Sequence, residues 1–232
     1  MNRWNYKENW NQCCSGSSEE ARISIAGYSD DKQWDDSGID TYEYLKRTIG
    51  VEKKDIFLEI GCGSARIGKI LAKHCEHWTG VDVSGEMIKY AASELANYPN
   101  ISLKEISGFD LQGLNDDSFT KVYCVVVYMH LDEWERYSYV LESHRVLKEG
   151  GKLLINNVNL CSENGWKFFE EHRKIPPSER PLRISKTSTP QELTQYMKMA
   201  GFLDIEVIED EPLECVTVTG RKKMTHSKTQ RQ

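Results

Sequence analysis

One stretch limits the possible folds more than any other. Residues 55–66 read Asp-Ile-Phe-Leu-Glu-Ile-Gly-Cys-Gly-Ser-Ala-Arg. An apolar run leads into a carboxylate, two glycines follow at alternate positions, and a helical pattern begins. The spacing predicts a strand buried on both faces, a tight turn and the first turn of a helix. Glycine supplies the torsions of such a turn and lets a ligand approach the main chain closely. The helix start offers unpaired N–H groups to a polar ligand. A dinucleotide fingerprint needs a third glycine three residues after Gly63, and Arg66 stands there instead. Glu59 sits badly against a pyrophosphate and suits a ligand with a positive end and no phosphates.

The rest of the chain alternates strand and helix patterns. Ile39, Tyr42, Leu45 and Ile49 recur at helical spacing over 35–49, and Gly50 is a stop signal. After the glycine turn, Ile67, Ile70, Leu71 and Cys75 form one face of a helix. Trp78 to Val83 is a second strand that carries Asp82. An acidic residue about 20 residues past the turn is placed to accept hydrogen bonds from ribose hydroxyls. That device marks an adenosine ligand and not a reaction. Ser84 is the expected cap of a following helix whose face is Met87, Ile88, Ala91, Ala92 and Leu95. Ile101 to Ile106 is a third strand, and Val122 to Tyr128, β-branched and aromatic, is the strongest.

His130 follows that strand, on the side of a doubly wound sheet where ligands sit. Residues 134–147 read as a helix burying Tyr137, Val140, Leu141, His144 and Leu147. Glu149-Gly150-Gly151 reads as a turn before a fifth strand, Lys152 to Val158. Residues 159–188 break the pattern with Trp166, Phe168, Phe169 and three prolines, and read as a substrate cap. Thr189-Pro190-Gln191-Glu192 is a capping box with proline in the first turn. Leu203 to Ile208 and Cys215 to Thr219 read as a closing β-hairpin.

These elements divide the chain into an aromatic arm or lid (1–34), one main domain (35–220) and a basic, disordered tail (221–232). The arm carries Trp4, Tyr6, Trp10, Tyr28 and Trp34. Its aromatics either pack on the main domain or cover a pocket there, and both can hold together. A formal net charge of −6 argues against a nucleic-acid partner. Seven cysteines, an odd number without a Cys-x-x-Cys pair, point to a reducing, cytoplasmic setting without disulfides or zinc. No apolar window reaches membrane-spanning length. The expected partner is a small molecule, with the protein a monomer or homodimer.

Taken together, Glu59-x-Gly61-x-Gly63, Asp82, the loop at Gly108–Phe109 and Leu147-Lys148-Glu149-Gly150-Gly151 resemble the class I S-adenosylmethionine-dependent methyltransferases of the small-molecule type. The resemblance spans about residues 35–220. It implies an α/β fold: a Rossmann-like, doubly wound, mostly parallel seven-stranded sheet with a C-terminal antiparallel hairpin and helices on both faces. It implies S-adenosylmethionine as cofactor, held by Glu59, Gly61, Cys62, Gly63, Asp82, Val83, Met87, Gly108, Phe109 and Cys124. In that family the acidic residue lies near the cationic amino-acid end of the cofactor. A carboxylate that often meets the adenine amine falls on Gly108 here, with Asp110 two residues later, so that partner stays open.

The acceptor is expected to be a hydroxyl of a natural-product or sugar-like molecule, with His130 as general base. A purely structural role for His130 at the strand end is the competing reading. So is transfer to nitrogen or carbon, or binding of the cofactor without catalysis. The magnesium-holding Asp of catechol-type enzymes is missing after the fourth strand, so no metal is expected.

Overall fold

The apolar run Ile56–Ile60 forms β1 at the heart of a sheet, with parallel partners on both sides. In the computed structural model, which describes residues 3–13, 30–210 and 214–224, β1 lies between β2 (His77–Asp82) and β4 (Phe119–Cys124). β3 (Ile101–Glu105) adds beyond β2, and β5 (Leu147–Val158) adds in parallel to β4. The chain then reverses. β6 (Phe202–Asp210) and β7 (Cys215–Lys222) are antiparallel, and β7 docks on β5. The strand order is β3-β2-β1-β4-β5-β7-β6. This is the expected seven-stranded, mostly parallel α/β sheet with its closing hairpin.

The helices are α1 (Arg3–Cys13), α2 (Asp31–Thr48), α3 (Gly68–Leu71), α4 (Gly85–Glu94), α5 (Glu133–Val146), α6 (Glu163–Arg173) and α7 (Pro190–Met199). Alternation along the strands sorts the side chains into two cores. Leu58, Ile60, Val122 and Leu153 meet α5 and α7 through Tyr139, Val140, Leu193 and Met197. Phe57, Tyr123 and Leu154 meet α2 and α4 through Leu45, Ile49, Ala91 and Leu95. Helices therefore cover both faces, as a parallel sheet requires. Among the described residues, no helix is long and apolar enough to cross a membrane.

Several elements differ from the pattern reading. α2 starts at Asp31, capped by the Asp30 side chain, so Trp34 belongs to this helix and not to a separate arm. The helix after the glycine turn is a single turn, Gly68–Leu71. Trp78 fills the space beside it, its ring 2.4 Å from where a Cβ on Gly68 would stand. β4 ends at Cys124, four residues before the apolar run does. Val126 takes φ +61°, and a 3₁₀ turn (Tyr128–His130) follows. The run stays apolar because the turn itself packs on the core.

α5 buries Arg136, Tyr139, Val140, Ser143 and Val146, while Leu141 is exposed. The predicted phase missed Arg136. Its guanidinium lies inward and holds Tyr128 O, Ser188 Oγ and Glu192 Oε1. Gly150, with φ +76°, bends β5 from within rather than preceding it. Thr189 caps α7 as expected, accepting from Glu192 N. Of the expected disordered tail 221–232, Arg221 and Lys222 are instead the last residues of β7, Arg221 paired with Lys152 of β5 and Lys222 with Phe202 of β6. Tyr28 and residues 225–232 lie outside the described residues.

Candidate active site

The carboxyl ends of β1, β2 and β4 open into one cleft of about 650 Å³, counted to its open mouth. Sequence order explains the convergence, since each parallel strand delivers its following loop to the same edge of the sheet. Gly61 and Gly63 form the floor. Both have positive φ, +74° and +51°, and the N–H groups of Gly61 and Cys62 donate to Val81 O. A Cβ on Gly61 would stand 2.3 Å from Val127 Cγ2, so any side chain there would break the contact between the turn and the loop after β4.

Asp82, Val83 and Met87 wall one side, with Ile106 and Gly108 beyond them. Asp82 is braced by main chain. Gly63 N donates to Oδ2 at 2.8 Å and Ser84 N to Oδ1 at 2.9 Å. Burial pushes its carboxyl up, and those N–H groups oppose the rise. A carboxylate has about four acceptor sites, so some remain for the hydroxyls of a ligand. Ser84 caps α4 through Met87 N, and its hydroxyl donates to Asn11 Oδ1 of α1. Lys7 of α1 pairs with Glu105 at the end of β3.

Val126, Val127, His130, Leu131 and Tyr139 also line the cleft, and so does Trp10 of α1. Trp10 and His130 meet edge to face, their ring centroids 4.9 Å apart. His130 Nδ1 lies 3.0 Å from Arg183 O. A carbonyl only accepts, so Nδ1 carries the proton and Nε2 is the bare nitrogen of the neutral ring. Burial pushes the ring's pKa down to about 4, with the Arg183 carbonyl opposing. The segment that supplies Arg183 is the predicted cap, and it is tied here again by Lys186 N donating to Met129 O. Val126, a β-branched residue in the left-handed region, is held there by its N–H donating to Asn156 Oδ1 at 3.0 Å.

Of the residues expected to hold the cofactor, Gly61, Gly63, Asp82, Val83, Met87 and Gly108 line this cleft, and His130 lines it too. Phe109 is 45% exposed and Cys62 and Cys124 are buried, and none of the three is in the cleft lining. Burial pushes both thiols well above their ordinary range, which removes them as nucleophiles. Glu59 is buried behind the wall, its Oε2 accepting from the Tyr123 hydroxyl at 2.5 Å. Reading of the sequence did not single out Val126, Val127, Leu131 or Tyr139. Only a fold brings them together, although the continuous apolar run through Tyr128 was a signal for the first two. Among the described residues, no group of three or more His, Cys, Asp or Glu is gathered to hold a metal ion. The asparagines near β5 are engaged elsewhere: Asn157 Nδ2 donates to Ser188 Oγ and Asn159 Nδ2 to Glu209.

Among the described residues, Asp82 is the one formally charged residue in the lining, and no lysine or arginine lines it. Such a lining suits S-adenosylmethionine, which has an adenosine, a cationic sulfonium and no phosphate. A pyrophosphate would find no cation. The comparisons agree. Residues 58–155 match the family described as Methyltransferase domain. A ubiquinone biosynthesis O-methyltransferase of Coxiella burnetii is 26% identical over 184 residues, 74% of each chain. The sterol 24-C-methyltransferase erg-4 of Neurospora crassa is 28% identical over 213 residues, 90% of this chain and 52% of that one. Among solved structures, magnesium protoporphyrin IX methyltransferase from Synechocystis with bound SAH superposes with a TM-score of 0.69 at 14% identity, covering 96% of this chain and 100% of that one.

Proposed function

We propose that this class I S-adenosylmethionine-dependent methyltransferase methylates a hydroxyl group of a small molecule, with His130 as the base that removes the hydroxyl proton. The observation that carries the reading is the hydrogen bond from His130 Nδ1 to Arg183 O, which leaves Nε2 bare in a ring that forms part of the cleft wall.

When bound, S-adenosylmethionine supplies a methyl group already activated by its sulfonium. The chain's task is then alignment, exclusion of water and care of one proton. In this reading Asp82 accepts from the ribose hydroxyls, and Gly61 and Gly63 let the ligand lie against the main chain. Val83, Met87 and Gly108 flank the adenosine side, and Glu59 acts on the cationic amino-acid end. Trp10, Val126, Leu131 and Tyr139 give the acceptor side an apolar wall.

The acidity of the acceptor follows from the base. A half-buried imidazole with a pKa of about 4 is a weak base. Phenols have a pKa near 10, against about 16 for water-like hydroxyls. Each pKa unit of mismatch costs about 1.4 kcal/mol in the proton transfer. A phenolic or enolic hydroxyl is therefore the favoured acceptor, and the sugar-like alternative is disfavoured. The name of the Coxiella relative, an O-methyltransferase, supports oxygen as the acceptor atom.

A survey of phenols, sugar alcohols, amines and sterols tests the acceptor, and His130→Ala tests the base. Turnover of a phenol should fall by about 10²–10⁴ in the variant, with the affinity for S-adenosylhomocysteine unchanged. Turnover within about threefold of the parent would remove the base and point to nitrogen or carbon as the acceptor atom. Cofactor binding without transfer to any class would leave a binding protein.

A further inference from the structure

Outside the cleft lining stand three buried groups on three neighbouring strands. Glu59 of β1 and Tyr123 of β4 are direct cross-strand partners. The Tyr123 hydroxyl donates to Glu59 Oε2 at 2.5 Å and accepts from Trp78 Nε1 of β2 at 3.1 Å. Trp78 is locked in turn, because a Cβ on Gly80 would stand 2.3 Å from its ring. Trp78 and Tyr123 are fully buried and Glu59 is 5% exposed. None of the three is in the cleft lining, and a purely apolar strand interior would serve the fold as well.

We infer that Tyr123 is a positioning residue for the amino-acid end of the cofactor, fixing the Glu59 carboxyl through the column Trp78–Tyr123–Glu59. The inference rests on the reading that Glu59 acts on that end of the ligand. Two consequences follow from the geometry. The Tyr123 hydroxyl takes Oε2 and so leaves Oε1 for the ligand. The column also bears on when Glu59 carries charge, because the Tyr123 hydroxyl that donates to it is itself held by Trp78. Tyr123 stays a donor, since burial and the nearby carboxyl push its hydroxyl well above its ordinary range.

The groups acting on Glu59 are few. Burial pushes its carboxyl up to about 8, against the Tyr123 hydroxyl, the Arg66 guanidinium and the Trp78 indole, while Asp82 adds to the rise. Arg66 is itself held by Ser37 Oγ of α2 and lies over the Trp34 ring. The thiols of Cys62 and Cys124 also feel Glu59, and both stay neutral. Before ligand binds, the raised carboxyl therefore favours the protonated form at neutral pH. A cationic ammonium draws the carboxyl into its charged form, and the proton leaves to solvent.

The test compares two ligands that share adenosine. S-Adenosylhomocysteine carries the amino-acid end, and methylthioadenosine lacks it. Calorimetry on the full chain should show Tyr123→Phe weakening S-adenosylhomocysteine about tenfold and methylthioadenosine less than twofold. Titration at pH 7 in buffers of different ionisation heat should show proton release with the first ligand and none with the second. Tyr123→Phe should change the number of protons released. Glu59→Gln should abolish the release, and adding Tyr123→Phe to it should cause no further loss.

Equal weakening of both ligands by Tyr123→Phe, or no weakening of either, overturns the inference. If Glu59→Gln discriminates between the ligands and Tyr123→Phe does not, Tyr123 alone has been misread. If Glu59→Gln does not discriminate either, the assignment of Glu59 falls with it.

Discussion

At the scale of single residues, the site rests on atoms whose orientation another group dictates. The Arg183 carbonyl selects the His130 tautomer, and burial sets its acidity. An unperturbed histidine would lose activity below about pH 6.5. His130, with a pKa of about 4, should keep the proposed reaction on a plateau down to about pH 5 and lose it only below that. The same shift acts on stability with a defined sign. The unfolded ring binds a proton near pH 6.5 and the folded ring only near 4, so stability falls as pH drops through that interval and is flat above it. Melting temperatures of the parent and of His130→Ala across pH 4–7 should converge toward the acid end. Asp82→Ala should weaken S-adenosylhomocysteine by on the order of 1–3 kcal/mol by calorimetry, because the ribose loses its acceptor. Gly63, Asp82 and His130 were legible in the sequence because spacing alone brings them to the strand ends. The Tyr123–Glu59 bond was not, although a tyrosine inside a strand of buried residues needs a partner for its hydroxyl.

At the scale of elements, α1 reaches the cleft from a distance in sequence that no periodicity reveals. The aromatic pattern of the first 34 residues pointed to an arm that packs or covers, and Trp10 in fact lies against His130. The Lys7–Glu105 and Ser84–Asn11 contacts anchor α1 beside β3 and Asp82 as well. A helix that touches both sides is positioned to act as a lid. Trp10→Ala should therefore speed release of S-adenosylhomocysteine by about tenfold in stopped flow, because an aromatic edge contact and its burial are lost, with little change in melting temperature. An unchanged release rate would leave α1 as packing alone. The end of β4 was misread for a physical reason: the chain stays apolar through Val126 and Val127, while the left-handed torsion of Val126 and its hydrogen bond to Asn156 mark where the strand gives way to the turn. The buried Arg136 escaped notice because charged residues on a helix normally face water.

At the scale of the whole molecule, alternating strand and helix patterns gave the class of fold, since a βαβ repeat leaves few right-handed arrangements. They did not give the order of the last strands. β7 lies between β5 and β6, pairing seven residues of β5 through Lys152–Val158. This order has a consequence for how the protein is made. β6 leaves the ribosome before β7, while the free edge of β5 stands open and is as ready to take β6 as its proper neighbour. At roughly 5–20 residues per second that window lasts about a second. Nascent chains are exposed to wrong pairing, and to capture by chaperones, during that interval. A chain stopped after Glu214 should aggregate and fail to bind S-adenosylhomocysteine, while one carried through Met224 should melt cooperatively. If the shorter chain melts and binds as the longer one does, β7 is dispensable to the sheet. Otherwise synthesis itself sets the order in which the edge of this molecule can be closed.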